Sequence, residues 1–181
     1  MNRKTLSDTG HTDHLDHQLV ESAWQAWQQG DLTKAEHAYR SVLERDDRNG
    51  LAHNNLANLL RQWGRFSEAE VHYCRALEQM PNSAEIRNNR AGTLERLHQY
   101  EQAEIEYRRA LELKPDFAEA RFNLGMLLLS AGRYTEGWKY YEARSKAFGE
   151  HGQLPFPQWN GEDLSGKTLL LLPEQGYGDT I

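Results

Sequence analysis

The chain has 181 residues and carries 27 Asp and Glu against 21 Lys and Arg, so its formal net charge is −6 with His neutral. This acidic balance argues against a general nucleic-acid binder, which would carry a basic face or stripe. Only 38% of the residues are hydrophobic, which is low for a compact single-core domain and typical of an elongated repeat array.

The first residues carry two positive charges without an apolar stretch behind them, so no secretory signal is recognisable. No apolar run reaches the roughly 18 residues that a membrane helix needs. The single Cys74 has no second cysteine to pair with and indicates a structural thiol rather than a nucleophile. We therefore expect a cytoplasmic protein without a membrane span.

Residues 1–15 are polar and predict a flexible leader. His11, His14 and His17 recur every third residue, which would put three imidazoles on one side of a helix, able to hold a zinc or nickel ion. Because no packed acidic groups support these histidines in the sequence, we favour the leader and expect no metal and no cofactor.

From Asp16 onward one pattern recurs every 34 residues. Its columns are Tyr39, Tyr73, Tyr107 and Tyr141; Ala35, Ala69, Ala103 and Gly137; Ala23, Ala57, Ala91 and Gly125; Gly30, Gly64, His98 and Gly132; and Leu32, Phe66, Tyr100 and Tyr134. Small residues let paired helices approach closely, the Tyr column fills the space between pairs, and glycines fit left-handed turns after helices. The pattern predicts four helical hairpins at residues 16–49, 50–83, 84–117 and 118–147.

Pro81 and Pro115 are placed to end the second and third hairpins, whereas the first has Asp47 at that position. The fourth has Gly137 and Arg144 where Ala is usual, and no closing Pro. These columns resemble the tetratricopeptide repeat, with weakened repeats at both ends as in other solenoids. The resemblance implies an all-α fold, an α–α superhelix of four hairpins, that binds a protein or an extended peptide.

In such a superhelix the first helix of each pair lines the concave side. One inward-facing column reads Glu21, Asn55, Asn89 and Asn123, and its neighbour reads Val20, Asn54, Asn88 and Phe122. A ladder of Asn offers an amide donor and acceptor at each step, which can bind the backbone of an extended peptide. The alternative, that these Asn side chains cap or bridge adjacent helices, stays open.

The ladder resembles the one in the superhelix of O-GlcNAc transferases, which implies the same mode of holding a substrate peptide. The middle of the groove continues as polar and mixed charge in Arg61, Gln62, Glu95 and Arg96. The predicted peptide-binding residues are Asn54, Asn55, Asn58, Arg61, Asn88, Asn89 and Asn123.

Both ends of the predicted groove are apolar, and exposed aromatic or Met side chains are where binding energy concentrates. The candidates are Trp24 and Trp27 at one end and Phe122, Met126 and Leu129 at the other. Alternatively, the chain covers its own ends. We favour covering at the C-terminal end and leave the N-terminal end open.

After Arg144 the repeat stops, and residues 148–181 predict a linker followed by a buried strand at residues 167–172. Gly176 and Gly178 then begin a turn of the kind that faces a phosphate at the start of a nucleotide-binding β–turn–α unit. On its own this turn is a weak signal, and it forms no complete cofactor site.

The order Gly137-Trp138, Gln158-Trp159, Gly166-Lys167 and Gly178-Asp179-Thr180 resembles the junction in bacterial tetratricopeptide proteins that carry a glycosyltransferase domain of the GT-B fold. The resemblance, to heptosyltransferases and O-GlcNAc transferase, implies that residues 148–181 begin such a domain and that Asp179 matches its catalytic base. As given, the chain is predicted not to be an enzyme. We expect either the part of a glycosyltransferase that recruits a substrate or partner, or a stand-alone structural adaptor with a remnant transferase tail. The sequence leaves the oligomeric state open.

Overall fold

The computed structural model describes residues 9–141, with side chains from Gln18 onward, and this part of the chain contains eight α-helices and no strand. The helices are α1 (Thr9–Gln28), α2 (Leu32–Arg45), α3 (Gly50–Gln62), α4 (Phe66–Gln79), α5 (Ala84–Arg96), α6 (Tyr100–Leu113), α7 (Ala118–Ser130) and α8 (Tyr134–Tyr141). They pack in consecutive pairs, which confirms the predicted all-α array of helical hairpins. The predicted tail, with its strand, Gly176, Gly178 and Asp179, lies outside the described residues.

Helix α1 begins at Thr9, so residues 9–15 are helical and the prediction of a flexible leader over residues 1–15 is wrong for that part. The physical reason is helix propagation. Once Val20, Ala23 and Ala26 pack α1 onto the array, each further turn adds hydrogen bonds at little nucleation cost. The backbones of His11, His14 and His17 lie in this extension, but their side chains are outside the described part.

Left-handed turns join the two helices of each hairpin, as the glycine column predicts. Gly30, Gly64 and Gly132 have φ of 80°, 76° and 75°, and His98 adopts φ of 60° in the third hairpin. In the second turn the amide of Arg65 donates to the Leu60 carbonyl at 2.9 Å, and the other three turns repeat that bond. A residue with a Cβ is sterically unfavourable in this left-handed conformation, so the turn at His98 is less stable than it would be with Gly.

Small and aromatic columns build the core as predicted. Tyr39, Tyr73 and Tyr107 are at most 1% exposed. In the fourth hairpin α7 and α8 leave no room for a side chain at this column, since a Cβ on Gly125 would lie 2.5 Å from the Tyr141 backbone nitrogen. The departure from Ala at this column is therefore required by packing.

The apolar core is divided at the junction of the second and third hairpins. One cluster draws on the first two hairpins together with Ile86, and a second on the third and fourth. Between them Arg90 stands where the neighbouring hairpins bury Leu56 and Leu124 completely. Its guanidinium lies 2.7 Å from Glu70 and 3.2 Å from Glu106, a carboxylate that is 4% exposed.

Candidate peptide-binding groove

Three of the first helices contribute to one concave pocket with a volume of about 430 Å³. It is lined by Trp27 of α1, by Asn58, Arg61 and Gln62 of α3, and by Asn89 of α5. The structure thus brings together four residues that the sequence singled out separately as groove candidates, and adds Gln62 from the mixed polar stretch.

Asn58 is the central hydrogen-bonding residue of this pocket. Its Oδ1 accepts from the Tyr73 hydroxyl at 2.6 Å and from Asn89 Nδ2 at 3.2 Å. Burial raises the pKa of Tyr73 to about 12, an effect that the positive charge of Arg61 opposes. Tyr73 therefore stays protonated near neutral pH and keeps donating. The Asn58–Asn89 bond also joins the second hairpin to the third.

Trp27 and Gln62 form a second fixed pair at the edge of the pocket. The indole Nε1 donates to Gln62 Oε1 at 2.9 Å, which ties the first hairpin to the second. Trp27 is half-buried, whereas Arg61 and Gln62 are exposed to the groove.

Other members of the Asn ladder also bond to one another. Asn123 Nδ2 donates to Asn88 Oδ1 at 3.1 Å, and Asn54 Nδ2 donates to Asn55 Oδ1 at 3.2 Å. Bridging between adjacent first helices, the alternative left open above, thus accounts for part of the ladder. Because an amide has two hydrogens and two lone pairs, each bridging Asn keeps hydrogen-bonding capacity for a ligand.

The second predicted groove column is not uniform. Val20 is 6% exposed and belongs to the core, so its assignment to the groove is wrong. Its position one turn before Ala23 and two before Ala26 puts it on the packing face of α1. Asn54 in the same column is half-buried, and its Oδ1 is enclosed without a hydrogen-bond partner.

The two apolar ends differ in how far the described chain covers them. Trp24 and Met126 are each 46% exposed. Phe122 is half-buried, and its ring packs against Tyr141 of α8 with 5.4 Å between centroids. Helix α8 therefore covers part of Phe122 and leaves Met126 open within residues 18–141, while the segment favoured as the cover of this end lies outside the described residues.

Beyond the pocket, Glu95 and Cys74 are engaged within the protein. Glu95 accepts a hydrogen bond from the Tyr107 hydroxyl, and burial raises the pKa of the Glu95 carboxyl. Cys74 is half-buried beside Glu70, with Sγ 3.4 Å from Oε1, and burial raises the pKa of its thiol. A raised thiol pKa opposes nucleophilic chemistry and agrees with a structural role.

Sequence reasoning missed a cavity of about 620 Å³ that involves the second helices of the first two hairpins. Inside it His53 Nδ1 and His72 Nδ1 lie 2.8 Å apart, and His53 Nε2 lies 3.0 Å from the Asp47 carbonyl. The sequence does contain a signal for the His53 contact. His53 occupies the position of Arg87 and Arg121, which donate to the equivalent carbonyls in the later hairpins.

The hydrogen bonds determine the tautomers of this histidine pair. Asp47 O can only accept, so His53 carries its proton on Nε2 and His72 donates from Nδ1. Burial, with a smaller contribution from the nearby His53, lowers the pKa of His72 to about 4. His72 is therefore neutral near neutral pH, and its Nδ1–H links α4 to His53 of α3.

Within the described part of the chain, no group of three or more His, Cys, Asp or Glu residues is arranged to hold a metal ion. Among helices α1 to α8, none combines the length and apolar character needed to cross a membrane.

The chain is similar to a protein family, to one characterised protein and to several solved structures. The profile of the tetratricopeptide repeat matches residues 20–85 and 88–150. Protein FlbA of Caulobacter vibrioides is 45% identical over 58 residues, a match that covers 30% of this chain and 10% of that protein. In this match the chain thus spans about a tenth of the length of that relative.

Many solved structures share the fold, and three of them are similar in the following way. YrrB, described as a tetratricopeptide protein with an unusual peptide-binding site, is 24% identical with a TM-score of 0.64, over 72% of this chain and 67% of that one. The first tetratricopeptide domain of Spaghetti (RPAP3), bound to an HSP90 peptide, is 23% identical with a TM-score of 0.63, over 65% and 93%. A mutant O-GlcNAc transferase of Thermobaculum terrenum is 26% identical with a TM-score of 0.61, over 71% of this chain and 23% of that one.

Proposed function

Because this chain belongs to the tetratricopeptide repeat family, we propose that it holds an extended segment of a protein partner in its concave groove. The observation that carries the proposal is the pocket where Asn58, Arg61 and Asn89 converge beside Trp27. Fixed amides and one exposed cation next to an indole ring suit a peptide, which offers backbone groups and side chains together. Peptide binding by YrrB and by the Spaghetti domain supports this role.

The test is binding of a random peptide library to the full chain, comparing the wild type with Asn89→Ala/Asn123→Ala. Two lost hydrogen bonds at about 1 kcal/mol each should weaken the selected peptides roughly 30-fold. Asn82→Ala is the matched control, because Asn82 lies exposed in the loop before α5. Unchanged affinity in the double variant, with the fold verified by circular dichroism, would mean that the ladder only bridges helices.

We further propose that the array recruits a substrate or partner for a glycosyltransferase. The support is the order of motifs up to Asp179 and the similarity of the helical array to the O-GlcNAc transferase of Thermobaculum terrenum. A stand-alone adaptor is the competing proposal. Reading the gene beyond Ile181 separates them, since an open frame long enough for a transferase domain supports recruitment and an immediate stop contradicts it. The unpaired Cys74 supports a cytoplasmic location for either.

A further inference from the structure

One interior position of α5 leaves the concave groove without a side chain, and we propose that the main chain of the bound segment lies directly against the helix there, at Gly92. This inference rests on the proposed function, because it states where the bound segment comes closest to the array and with which of its atoms. It makes Gly92 a positioning residue for the ligand, acting through the side chain that it lacks.

Gly92 belongs to a column of the repeat whose other members face the groove. Asn58, in the same column, lines the concave pocket, and Trp24 and Met126, at the two ends of the column, are each 46% exposed. Gly92 also follows Asn89, another residue of that pocket, by three positions, and residues three apart share a face of a helix. The groove therefore has an opening on α5 between the side chains of Asn58 and Met126, which we call the Gly92 gap.

Packing within the chain does not require a glycine at this position. A Cβ on Gly92 would have only the Tyr107 hydroxyl oxygen within 4 Å, at 3.5 Å, which is an ordinary van der Waals distance. On Gly50, Gly125 or Gly137, the other glycines within α3 to α8, a Cβ would lie 2.9 Å or less from its nearest neighbour. Because Gly is less favourable than Ala in a helix interior, α5 is less stable than it could be, without a packing reason. Close approach of a ligand to the backbone is a reason that a glycine supplies.

Hydrogen bonds hold the amides beside the Gly92 gap in place. One turn earlier in α5, Asn89 donates to Asn58 at 3.2 Å and Asn88 accepts from Asn123 at 3.1 Å. Each of these four amides can make further hydrogen bonds. The groups that would bind a main chain are therefore already positioned on both sides of α5, in α3 and in α7.

A methyl group in the gap would hold a bound main chain away from these amides. An added Cβ projects about 1.5 Å beyond the Cα, one carbon–carbon bond length, and keeps non-bonded carbons about 3.5–4.0 Å away. A main chain that lies against Gly92 would have to move outwards by roughly 1 Å or more, and hydrogen bonds weaken steeply beyond about 3.2 Å between N and O. Binding should therefore depend on the absence of a side chain at this position.

A side chain of the bound segment is the alternative occupant of the Gly92 gap. We favour the main chain, because the groove residues one turn earlier on α5 are both Asn. Their amides match the N–H and C=O groups of a main chain, whereas an apolar side chain beside them would leave those polar groups without partners.

The experiment measures affinity and stability on the same variants of the full chain. Peptides selected from a random library with the wild type are titrated against Gly92→Ala, and urea unfolding of both proteins is followed in parallel. We expect about ten-fold weaker binding by Gly92→Ala, as for the loss of one or two hydrogen bonds, together with a fold that is at least as stable as the wild type. A purely structural role of Gly92 would not lower affinity while the fold gains stability.

Val71→Ala is the matched control, and Gly92→Leu is the graded variant. Val71 is 58% exposed on α4, outside the concave pocket, and its replacement by Ala also raises helix propensity. It should therefore bind as the wild type does. Leu is a good helix former whose larger side chain fills the gap, so Gly92→Leu should bind at least ten-fold more weakly than Gly92→Ala. Wild-type affinity in either Gly92 variant, or an equal loss in Val71→Ala, would overturn the inference.

An alanine scan of a selected peptide separates main-chain from side-chain contact at the gap. If the main chain lies there, the affinity ratio between the wild type and Gly92→Ala stays within about two-fold for every alanine variant of the peptide. One alanine variant that abolishes the ratio would show that its side chain fills the gap and would overturn the main-chain assignment.

The remaining outcomes separate this inference from the proposed function. Unchanged binding by Gly92→Ala, with weaker binding by Asn89→Ala/Asn123→Ala, overturns the role of Gly92 and leaves peptide binding intact. Failure to select any peptide overturns both proposals.

Discussion

Two helical glycines that look alike in the sequence have opposite structural roles. A Cβ on Gly92 would meet only the Tyr107 hydroxyl at 3.5 Å, an ordinary contact, whereas on Gly125 it would meet the backbone of Tyr141 at 2.5 Å. Gly92 makes α5 less stable than Ala would, because Gly in a helix interior is about 1 kcal/mol less favourable than Ala. The second is required by the close approach of α7 and α8.

We therefore predict opposite signs for one substitution. Gly92→Ala should stabilise the protein by about 0.5–1 kcal/mol, through helix propensity. Gly125→Ala should destabilise it by about 1–3 kcal/mol, because the backbone of α8 must move to relieve the overlap. Urea unfolding of each variant beside the wild type measures both values. Equal effects would contradict the packing described for the fourth hairpin.

His72 makes stability depend on pH in a direction that follows from its lowered pKa. A histidine in an unfolded chain titrates near 6.5, whereas in the folded protein the pKa of His72 is about 4. Between these values the unfolded chain binds a proton that the folded protein does not. Stability contributed by neutral His72 is therefore complete above about pH 6.5 and is lost as the pH falls towards 4.

We predict that His72→Gln reduces this loss. Gln cannot take up a proton in this range, yet its NH₂ can still donate to His53. Thermal unfolding across pH 7 to pH 4 should show a smaller drop in Tm for His72→Gln than for the wild type. His37→Gln, at an exposed position of α2, is the control and should follow the wild type. Parallel curves for all three proteins would remove His72 as the cause.

At the scale of the helix, the repeat period predicted nearly everything about the backbone. The turn at His98 adopts the left-handed conformation that Gly30, Gly64 and Gly132 adopt, because equal spacing imposes equal geometry on each hairpin. The start of α1 was missed, since no packing residue or capping signal in the sequence marks Thr9 and helix ends depend on propagation.

Side-chain partners were less predictable than helices. Spacing put Asn58, Arg61 and Asn89 on one face, but it could not tell which amide oxygen accepts from Tyr73 and which amide remains for a ligand. That choice depends on rotamers and on a neighbouring helix, as does the pairing of His53 with His72. Val20 was misassigned because its column is polar in the two middle hairpins and apolar in the first.

At the junction between the second and third hairpins, one residue changes the interface between helices α4 and α5. Arg90, at a position where Leu is buried in the flanking hairpins, brings Glu70 and Glu106 into the interface, and Arg87 reaches Glu106 from the same helix at 2.8 Å. A buried ion-pair layer contributes less net stability than apolar packing of similar volume, because desolvation offsets the attraction. The weakest junction of the array is therefore expected between α4 and α5.

For the whole molecule this junction divides a nearly one-dimensional structure. The stability of a solenoid is approximately the sum of its hairpins and of the interfaces between neighbours, so a weak interface lets the two sides open separately. The groove crosses the same junction through the Asn58–Asn89 bond. A peptide that lies along the groove would contact both sides and should couple their opening.

We accordingly predict two levels of amide hydrogen exchange protection in the full chain, with the boundary between α4 and α5. Replacing the centre of the polar layer by Arg90→Leu/Glu106→Ala should bring the two levels closer together, since Leu restores the residue type found at Leu56 and Leu124 and Arg87 keeps its bond to the Pro81 carbonyl. Glu106→Ala alone is the matched control. It leaves Arg87 and Arg90 without their shared carboxylate, so it should destabilise the junction and widen the difference. A single protection level in the wild type, or convergence in Glu106→Ala alone, would show that the ion-pair layer does not divide the array.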